Sequence, residues 1–502
     1  MKKEYEDLEA KLLAAGKPPA KADTTGNSYA LVCALLASLA SIIFGYNRGV
    51  MSGAQKYVQE DLGVSDGQLE VLIGLTSVYS LIGSLAAGWA CDRAGRRRTV
   101  ALAAALFLAG SAVTAAANGY AVLMAGQLLS GVACGFGLVV APVYIAEIAP
   151  AASRGFLSSI PEIAGNSGIL LSYIADFALA GLPKTLSWRL MIGIGAVPPL
   201  FLAASALLVM PETPRWLVLH GHPDEARRVL ARTAGGGDDD ADRRLQEIVA
   251  SVQESASKKQ SGGGGGGSTS VWGEILLRPT PAVRRVMLTI TGLQFFQQAC
   301  GIAAMVLYVP RVFGHAGVVS SDRAVLGATV LLGAVKTASI VVPLFLADRL
   351  GRRPMLLASA AGMAASLLVL GLSVHRAPSA TRLAAATCVA AAAAYMAAFS
   401  LGFGPVIWMY GSEILPLRLR AQGTGIGTAL NRVTSAVVGM TFISMYEALG
   451  MAGTFYIFAA FSAAAYVFVY ACLPETKGKS LEEMEALFDG RARRSSLQAP
   501  PS

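Results

Sequence analysis

Apolar and polar positions alternate along this chain as long apolar runs divided by short charged loops. Runs of about 20 residues, the length a helix needs to cross a bilayer, lie near 29–50, 70–90, 99–117, 121–144, 157–180 and 189–209. A second set lies near 284–312, 325–347, 354–374, 383–409, 421–446 and 451–473. The pattern predicts an all-α integral membrane protein of twelve transmembrane helices in two six-helix pseudo-repeats. Its expected divisions are a cytoplasmic tail over 1–28, a first bundle over 29–209, a linker over 210–283, a second bundle over 284–473 and a tail over 474–502. Within the linker, Pro223 to Thr233 and Asp242 to Ser255 carry Ala, Leu, Ile and Val at helical spacing, which predicts short helices. The glycine run Gly262 to Gly267 reads as a flexible centre.

Composition agrees with the run pattern. The chain is 54% hydrophobic and only 15% charged, with a mean hydropathy of +0.54, too apolar for an ordinary soluble domain. A net charge of +9 invites a nucleic-acid reading, but the cations sit in short loops and form no basic patch interleaved with aromatics. Arg93, Arg96, Arg97, Arg98, Arg154, Arg215, Arg349, Arg352, Arg353, Arg418 and Arg420 crowd the loops on one side, while Lys56, Lys184, Arg323 and Arg376 are sparse on the other. By the positive-inside bias both termini are expected to be cytoplasmic. About 28 polar or mixed residues precede the first run, so that run is expected to stay as an anchor rather than be cleaved. The six cysteines lie in or beside apolar runs and read as small packing residues. The four histidines have no metal-site spacing, and no phosphate-binding Gly loop with a Lys-Ser/Thr partner occurs. Enzyme and ATP-driven readings therefore find no support, and no cofactor is expected beyond a co-transported proton.

The charged loops repeat. Asp92-Arg93-Ala94-Gly95-Arg96-Arg97 is answered by Asp348-Arg349-Leu350-Gly351-Arg352-Arg353, Glu147 by Glu413, and Pro211-Glu212-Thr213 by Pro474-Glu475-Thr476. One half of the chain is an edited copy of the other, the pattern of a carrier whose halves rock about a midplane site. Asp92, Arg96, Glu147, Arg154, Asp348, Arg352, Glu413 and Arg420 are expected to form a cytoplasmic gating network that joins the halves when the protein opens outward. The positive-inside bias explains the arginines without a latch, but not an acid repeated at the same place in each half.

These motifs, with Pro211-Glu212-Thr213-Pro214-Arg215-Trp216, Gln297-Gln298 and Pro474-Glu475-Thr476-Lys477-Gly478, resemble the sugar porters of the major facilitator superfamily. Phe44-Gly45-Tyr46, Val50-Met51-Ser52-Gly53-Ala54 and Gly411-Ser412-Glu413-Ile414-Leu415-Pro416 are most similar to plant polyol and monosaccharide transporters. The resemblance runs from about residue 29 to 488. It implies the major facilitator fold, alternating access, a neutral polyol or monosaccharide as partner, a single chain as the working unit, and the plasma membrane, with the vacuolar membrane as rival.

A polyhydroxylated ligand needs donors and acceptors together, which amides supply. Gln294, Gln297 and Gln298 share one helix face, at i, i+3 and i+4, and Asn431 lies in the eleventh run. Trp408, after the helix-breaking Gly404-Pro405, is the candidate aromatic platform. By resemblance each stands where sugar porters contact substrate; the plainer reading is amides that bond helix to helix. Glu162 and Lys336 are ionisable groups at membrane depth, functional by default. The alternatives for them are a direct pair that substrate opens, or two groups facing a cavity without meeting.

Four positions depart from the family. Proton-coupled sugar porters have an acid in the first span and an Arg in the fourth, and here Asn47 and Gln127 stand there. Asn carries no titratable proton, so proton symport is the family's mechanism and facilitated diffusion is what these two residues argue for. Arg48 adds a charge where polyol transporters have an apolar residue; Glu70 is an available partner, and snorkelling to the interface is the alternative. Ala303 removes one polar contact of the family's site. A non-transporting sugar sensor and an inactive paralogue are the rival functions.

Overall fold

The computed structural model describes residues 24–150, 153–233, 240–250, 252, 279–315, 321–375, 382–415 and 419–477. Residues 1–23 and 478–502 of the tails and Gly262–Gly267 lie outside them, as do the side chains of Arg154, Asp348 and Arg420. Among the described residues every regular element is helical. The first stretch contains α1 (Thr24–Leu62), α2 (Asp66–Ala94), α3 (Arg96–Ala115), α4 (Tyr120–Ile148), α5 (Arg154–Leu179), α6 (Lys184–Ile194) and α7 (Val197–Leu208). Three short helices follow, α8 (Pro214–Leu219), α9 (Pro223–Thr233) and α10 (240–250). The second stretch contains α11 (Pro281–Ala299), α12 (Ile302–His315), α13 (Asp322–Ser339), α14 (Val342–Leu350), α15 (Arg352–His375), α16 (Arg382–Leu401), α17 (Val406–Ile414) and α18 (Arg420–Cys472).

Among the described residues, ten helical segments are long and apolar enough to cross a membrane. The last, 51 residues long, is bent at Gly450, whose φ of 73° only glycine tolerates readily, so two apolar runs share it. The 26-residue α5 falls short of that apolar standard; it holds Glu162 and Asp176, whose charge lowers its hydropathy. Four runs that read as single spans are broken in two. The seventh stops at Ala299 and restarts at Ile302, with Gly301 at φ 90°. The carbonyl freed at Cys300 accepts from Tyr395 Oη at 2.9 Å, so that group is not stranded at depth. The tenth breaks between α16 and α17, where Phe403 N donates to Ser359 Oγ at 3.1 Å. The sixth and eighth restart at α7 and α14, each with Pro in its first turn, where a missing N–H costs nothing.

Glycine permits the closest helix crossings. Gly45, Gly49 and Gly53 form a stripe on α1 against α5, and a Cβ on Gly45 would lie 1.9 Å from Gly165 O. A Cβ on Gly168 of α5 would lie 2.1 Å from Ile42 O in return. In an apolar medium close backbone approach substitutes for the hydrophobic drive between helices. The linker helix α9 has the predicted ends, and the next is helical over 240–250 and at 252, with 251 and 253–255 outside the described residues. The two are joined by Arg227 and Asp242 at 2.6 Å.

Candidate functional site

The repeated motifs fold into two copies of one clasp. Gly95 and Gly351 turn with φ of 92° and 93°, and a Cβ at either would collide with the carboxylate of Glu212 or Glu475. Glu212 accepts from Arg96 N at 2.9 Å and Arg97 N at 3.1 Å; Glu475 accepts from Arg352 N at 2.9 Å and Arg353 N at 3.0 Å. Each carboxylate thus caps the N-terminus of the helix its motif begins, where free N–H groups and the helix dipole favour an anion. The arginine side chains turn to the other acid: Arg96 meets Glu147 at 3.0 Å and Arg352 meets Glu413 at 2.7 Å. Tyr144 Oη donates to Pro211 O and Tyr410 Oη to Pro474 O, completing the correspondence.

The two clasps differ electrostatically. Burial raises the Glu212 carboxyl above its ordinary value despite the N–H groups of Thr213, Arg96 and Arg97. Glu475 is less buried, and its backbone donors from Lys477, Arg352, Arg353 and Thr476 outweigh desolvation and hold it below.

The described clasp pairs lie within one half of the chain, where a link between halves is expected for an outward-open form. The halves are instead joined at the opposite end. Glu70 of α2 is 4% exposed and accepts from Ile443 N at 2.6 Å, Ser444 N at 3.0 Å and Ser444 Oγ at 2.6 Å, all on α18. Arg311 of α12 pairs with Asp66 at 2.9 Å and donates to Gln59, while Lys56 pairs with Asp322 at 2.7 Å. Gln55 Nε2 reaches Leu307 O at 3.1 Å, and Tyr173 Oη reaches Val306 O at 2.7 Å. These contacts join the halves at the end away from the clasps. The expectation of an Arg48–Glu70 pair is corrected: the α18 backbone occupies Glu70, and Arg48 points to Ser435 Oγ at 3.4 Å.

The structure gathers the amides on α11 and α18. Asn431 is fully buried; its Nδ2 donates to Gln297 Oε1 at 2.7 Å and Gln294 Oε1 at 2.9 Å, and its Oδ1 accepts from Gln298 Nε2 at 3.2 Å. Gln297 Nε2 donates to Phe403 O at 2.7 Å and Gly404 O at 3.0 Å, so it also ties down the break before α17. The plainer reading of the amides, bonding helix to helix, describes Gln297, whose Nε2 is committed to backbone. Gln298 differs: its Oε1 is buried without a hydrogen-bond partner among the described residues. Trp408 is half-buried on α17.

Glu162 and Lys336 do not meet directly. Lys336 Nζ donates to Asn166 Oδ1 at 2.7 Å, and Asn166 Nδ2 donates to Glu162 O at 2.9 Å and Oε1 at 3.4 Å. Asn166 is thus a relay between α5 and α13 that the sequence reading missed. Its signal was present, since it follows Glu162 by four residues on the same helix face. Asn47, Arg48 and Gln127 come together with Arg432 on one cavity between the two stretches, and Gln127 Oε1 accepts from Thr76 Oγ1 at 3.3 Å. Arg432 was also missed, hidden beside Asn431 in an otherwise apolar run.

Membrane-length helices, broken spans around buried amides and a duplicated arginine–glutamate clasp define a membrane carrier. Residues 33–488 match the Sugar (and other) transporter family, and the chain belongs to it; the family is one of transporters, not enzymes. The chain is similar to Polyol transporter 5 of Arabidopsis thaliana, with 46% identity over 96% of this chain and 90% of that protein. It is 30% identical to the Glucose transporter GlcP of Staphylococcus epidermidis, over 90% of this chain and 95% of that one. Among solved structures, the inward-open conformation of the xylose transporter XylE from E. coli has a TM-score of 0.75 at 26% identity, covering 91% of this chain and 99% of that one. The major facilitator superfamily proton:xylose symporter XylE bound to 6-bromo-6-deoxy-D-glucose has a TM-score of 0.71 at 28% identity, covering 92% and 99%.

Proposed function

We propose that this protein moves neutral polyols or monosaccharides across its membrane by alternating access of two six-helix bundles, 29–209 and 284–473, without coupling to protons. The observation that carries the reading is the amide cluster of Gln294, Gln297, Gln298 and Asn431, with the unpartnered Gln298 Oε1 facing a role that a substrate hydroxyl fills. Twelve spans follow when α5 and the two arms of α18 are counted with the other helices. Both termini then lie in the cytoplasm with the clasps, and the conformer closed by Glu70, Arg311 and Lys56 is the one open inward. Relatives named as polyol transporters support the substrate class, and the proton:xylose symporter among the similar structures makes coupling the question to decide. Asn47 and Gln127 line one cavity with no titrating carboxylate of their own, which supports facilitated diffusion. The single chain is the working unit, and the plasma membrane is the proposed address.

The test is uptake of labelled sorbitol, xylitol and glucose into proteoliposomes, with and without an inward proton gradient, beside the variant Asn47→Asp with Gln127→Arg. Saturable uptake that stops at equilibrium supports the uniporter, and accumulation by the double variant locates the missing coupling. Accumulation above equilibrium by the unaltered protein refutes the uncoupled reading. Binding without saturable flux indicates a sensor, and neither binding nor flux an inactive paralogue.

A further inference from the structure

The cavity that gathers the two altered coupling positions is cationic. Arg48 enters it from α1 and Arg432 from α18, with Asn47, Ser77 and Gln127 completing a polar lining. Arg432 is 7% exposed; its Nη2 donates to Asn431 Oδ1 at 2.8 Å, while its Nε has no hydrogen-bond partner among the described residues. Arg48 has one long contact, Nη2 to Ser435 Oγ at 3.4 Å, and Ser435 Oγ also accepts from Ser77 at 3.4 Å. Among the described residues no carboxylate forms an ion pair with either guanidinium. The two lie within electrostatic range of each other; Lys336 is a third cation within range of Arg48, and Glu162 is the carboxylate within range of Arg432.

Two guanidinium groups at membrane depth with no carboxylate in ion-pair contact are costly, because repulsion adds to the loss of hydration. An amide supplies no charge to offset them, and a carboxylate at position 47 would have done so. Glu162 is shared with Lys336 and Asn166 and reaches neither guanidinium as an ion pair, which leaves an anion from outside the chain to neutralise the pair at contact. The cavity volume is about 40 Å³, room for a few water-sized groups. A halide or one carboxylate group fits that volume. Arg432 also touches the amide cluster through Asn431, so an anionic group held here has hydroxyl-binding amides beside it.

We infer that the cavity between Arg48 and Arg432 is a site for one small monovalent anion, filled by free chloride or by the carboxylate of an acidic polyhydroxylated substrate. The carboxylate source rests on the amide cluster being the sugar site; the chloride source does not.

The experiment uses purified full-length protein in detergent at constant ionic strength. Thermal stability and labelled sorbitol binding are titrated with sodium chloride and with sodium gluconate, each replacing the salt of a sulfonate buffer anion too bulky for the cavity. The expected result is saturable stabilisation by chloride or gluconate, weakened at least about tenfold in Arg48→Met and largely retained in Arg48→Lys. A chloride response without a gluconate response identifies the free ion. Gluconate that stabilises and competes with sorbitol identifies a substrate carboxylate. Stability and sorbitol binding in the unaltered protein that ignore all three salts overturn the anion site and leave the sugar reading standing. A saturable anion response with no sorbitol binding in any salt does the reverse. If Arg48→Met does not fold, the salt series on the unaltered protein decides alone, and equal affinity in a folded Arg48→Met overturns the assignment.

Discussion

Glu70 sets the free energy of closure at the end away from the clasps. Its carboxylate takes three hydrogen bonds from α18, two of them from backbone N–H groups. Tyr308 Oη donates to Gly439 O, the carbonyl one helical turn before Ile443, so α12 also holds this turn of α18. Each bond to a charged group is worth about 1.5–3 kcal/mol in a buried setting. In Glu70→Ala the donors regain water only when that end opens, so the cost falls on the closed conformer. Taking about 3 kcal/mol for the set shifts the closed-to-open ratio about 100-fold toward opening. The exposed pair Lys56–Asp322, more than half solvated on both sides, contributes about 1 kcal/mol or less, so Lys56→Gln is the matched control. The assay is the rate at which a membrane-impermeant thiol reagent, added on the side away from the clasps, reaches a cysteine placed at Ser77 between the bundles. The rate is expected to rise steeply in Glu70→Ala and little in Lys56→Gln. A folded Glu70→Ala protein whose labelling is unchanged or slower refutes the reasoning.

Two further outcomes follow from the packing and the clasps. Gly45→Ala puts a Cβ 1.9 Å from Gly165 O and forces α1 from α5; overpacking of about 1–3 kcal/mol or more is expected as lost monodisperse protein in size-exclusion profiles, while Gly88→Ala, which meets open space, leaves the profile unchanged. The clasps are expected to respond oppositely to pH. The folded Glu475 carboxyl lies below its ordinary 4.5, so its contribution is present above that value and lost as pH falls through the folded one; Glu475→Gln then destabilises at neutral pH and much less in acid. The folded Glu212 carboxyl lies above 4.5, so its ionisation opposes folding as pH rises, and Glu212→Gln costs less than Glu475→Gln at neutral pH; melting temperatures across the acid range that reverse this order contradict the assignment.

Sequence alone determined the elements and much of the chemistry. Apolar run length is fixed by bilayer thickness, so membrane spans are legible one by one, and a repeated motif declares itself without a fold. Gln294, Gln297, Gln298 and Asn431 were legible as a cluster because three share a helix face. What tertiary structure decided was every pairing across helices. Nothing local marks Glu70 as a cap on the α18 backbone, Asn166 as the relay between Glu162 and Lys336, or the prolines opening Pro211-Glu212-Thr213 and Pro474-Glu475-Thr476 as acceptors for tyrosines one helix away. The break at Gly301 also escaped the run pattern, because hydropathy does not register φ, whereas the one at Gly404-Pro405 was legible from its residues. Arg48 and Arg432, far apart in the chain, became one feature only when α1 and α18 were brought to the same cavity: charge is written residue by residue, but its cost depends on what stands opposite.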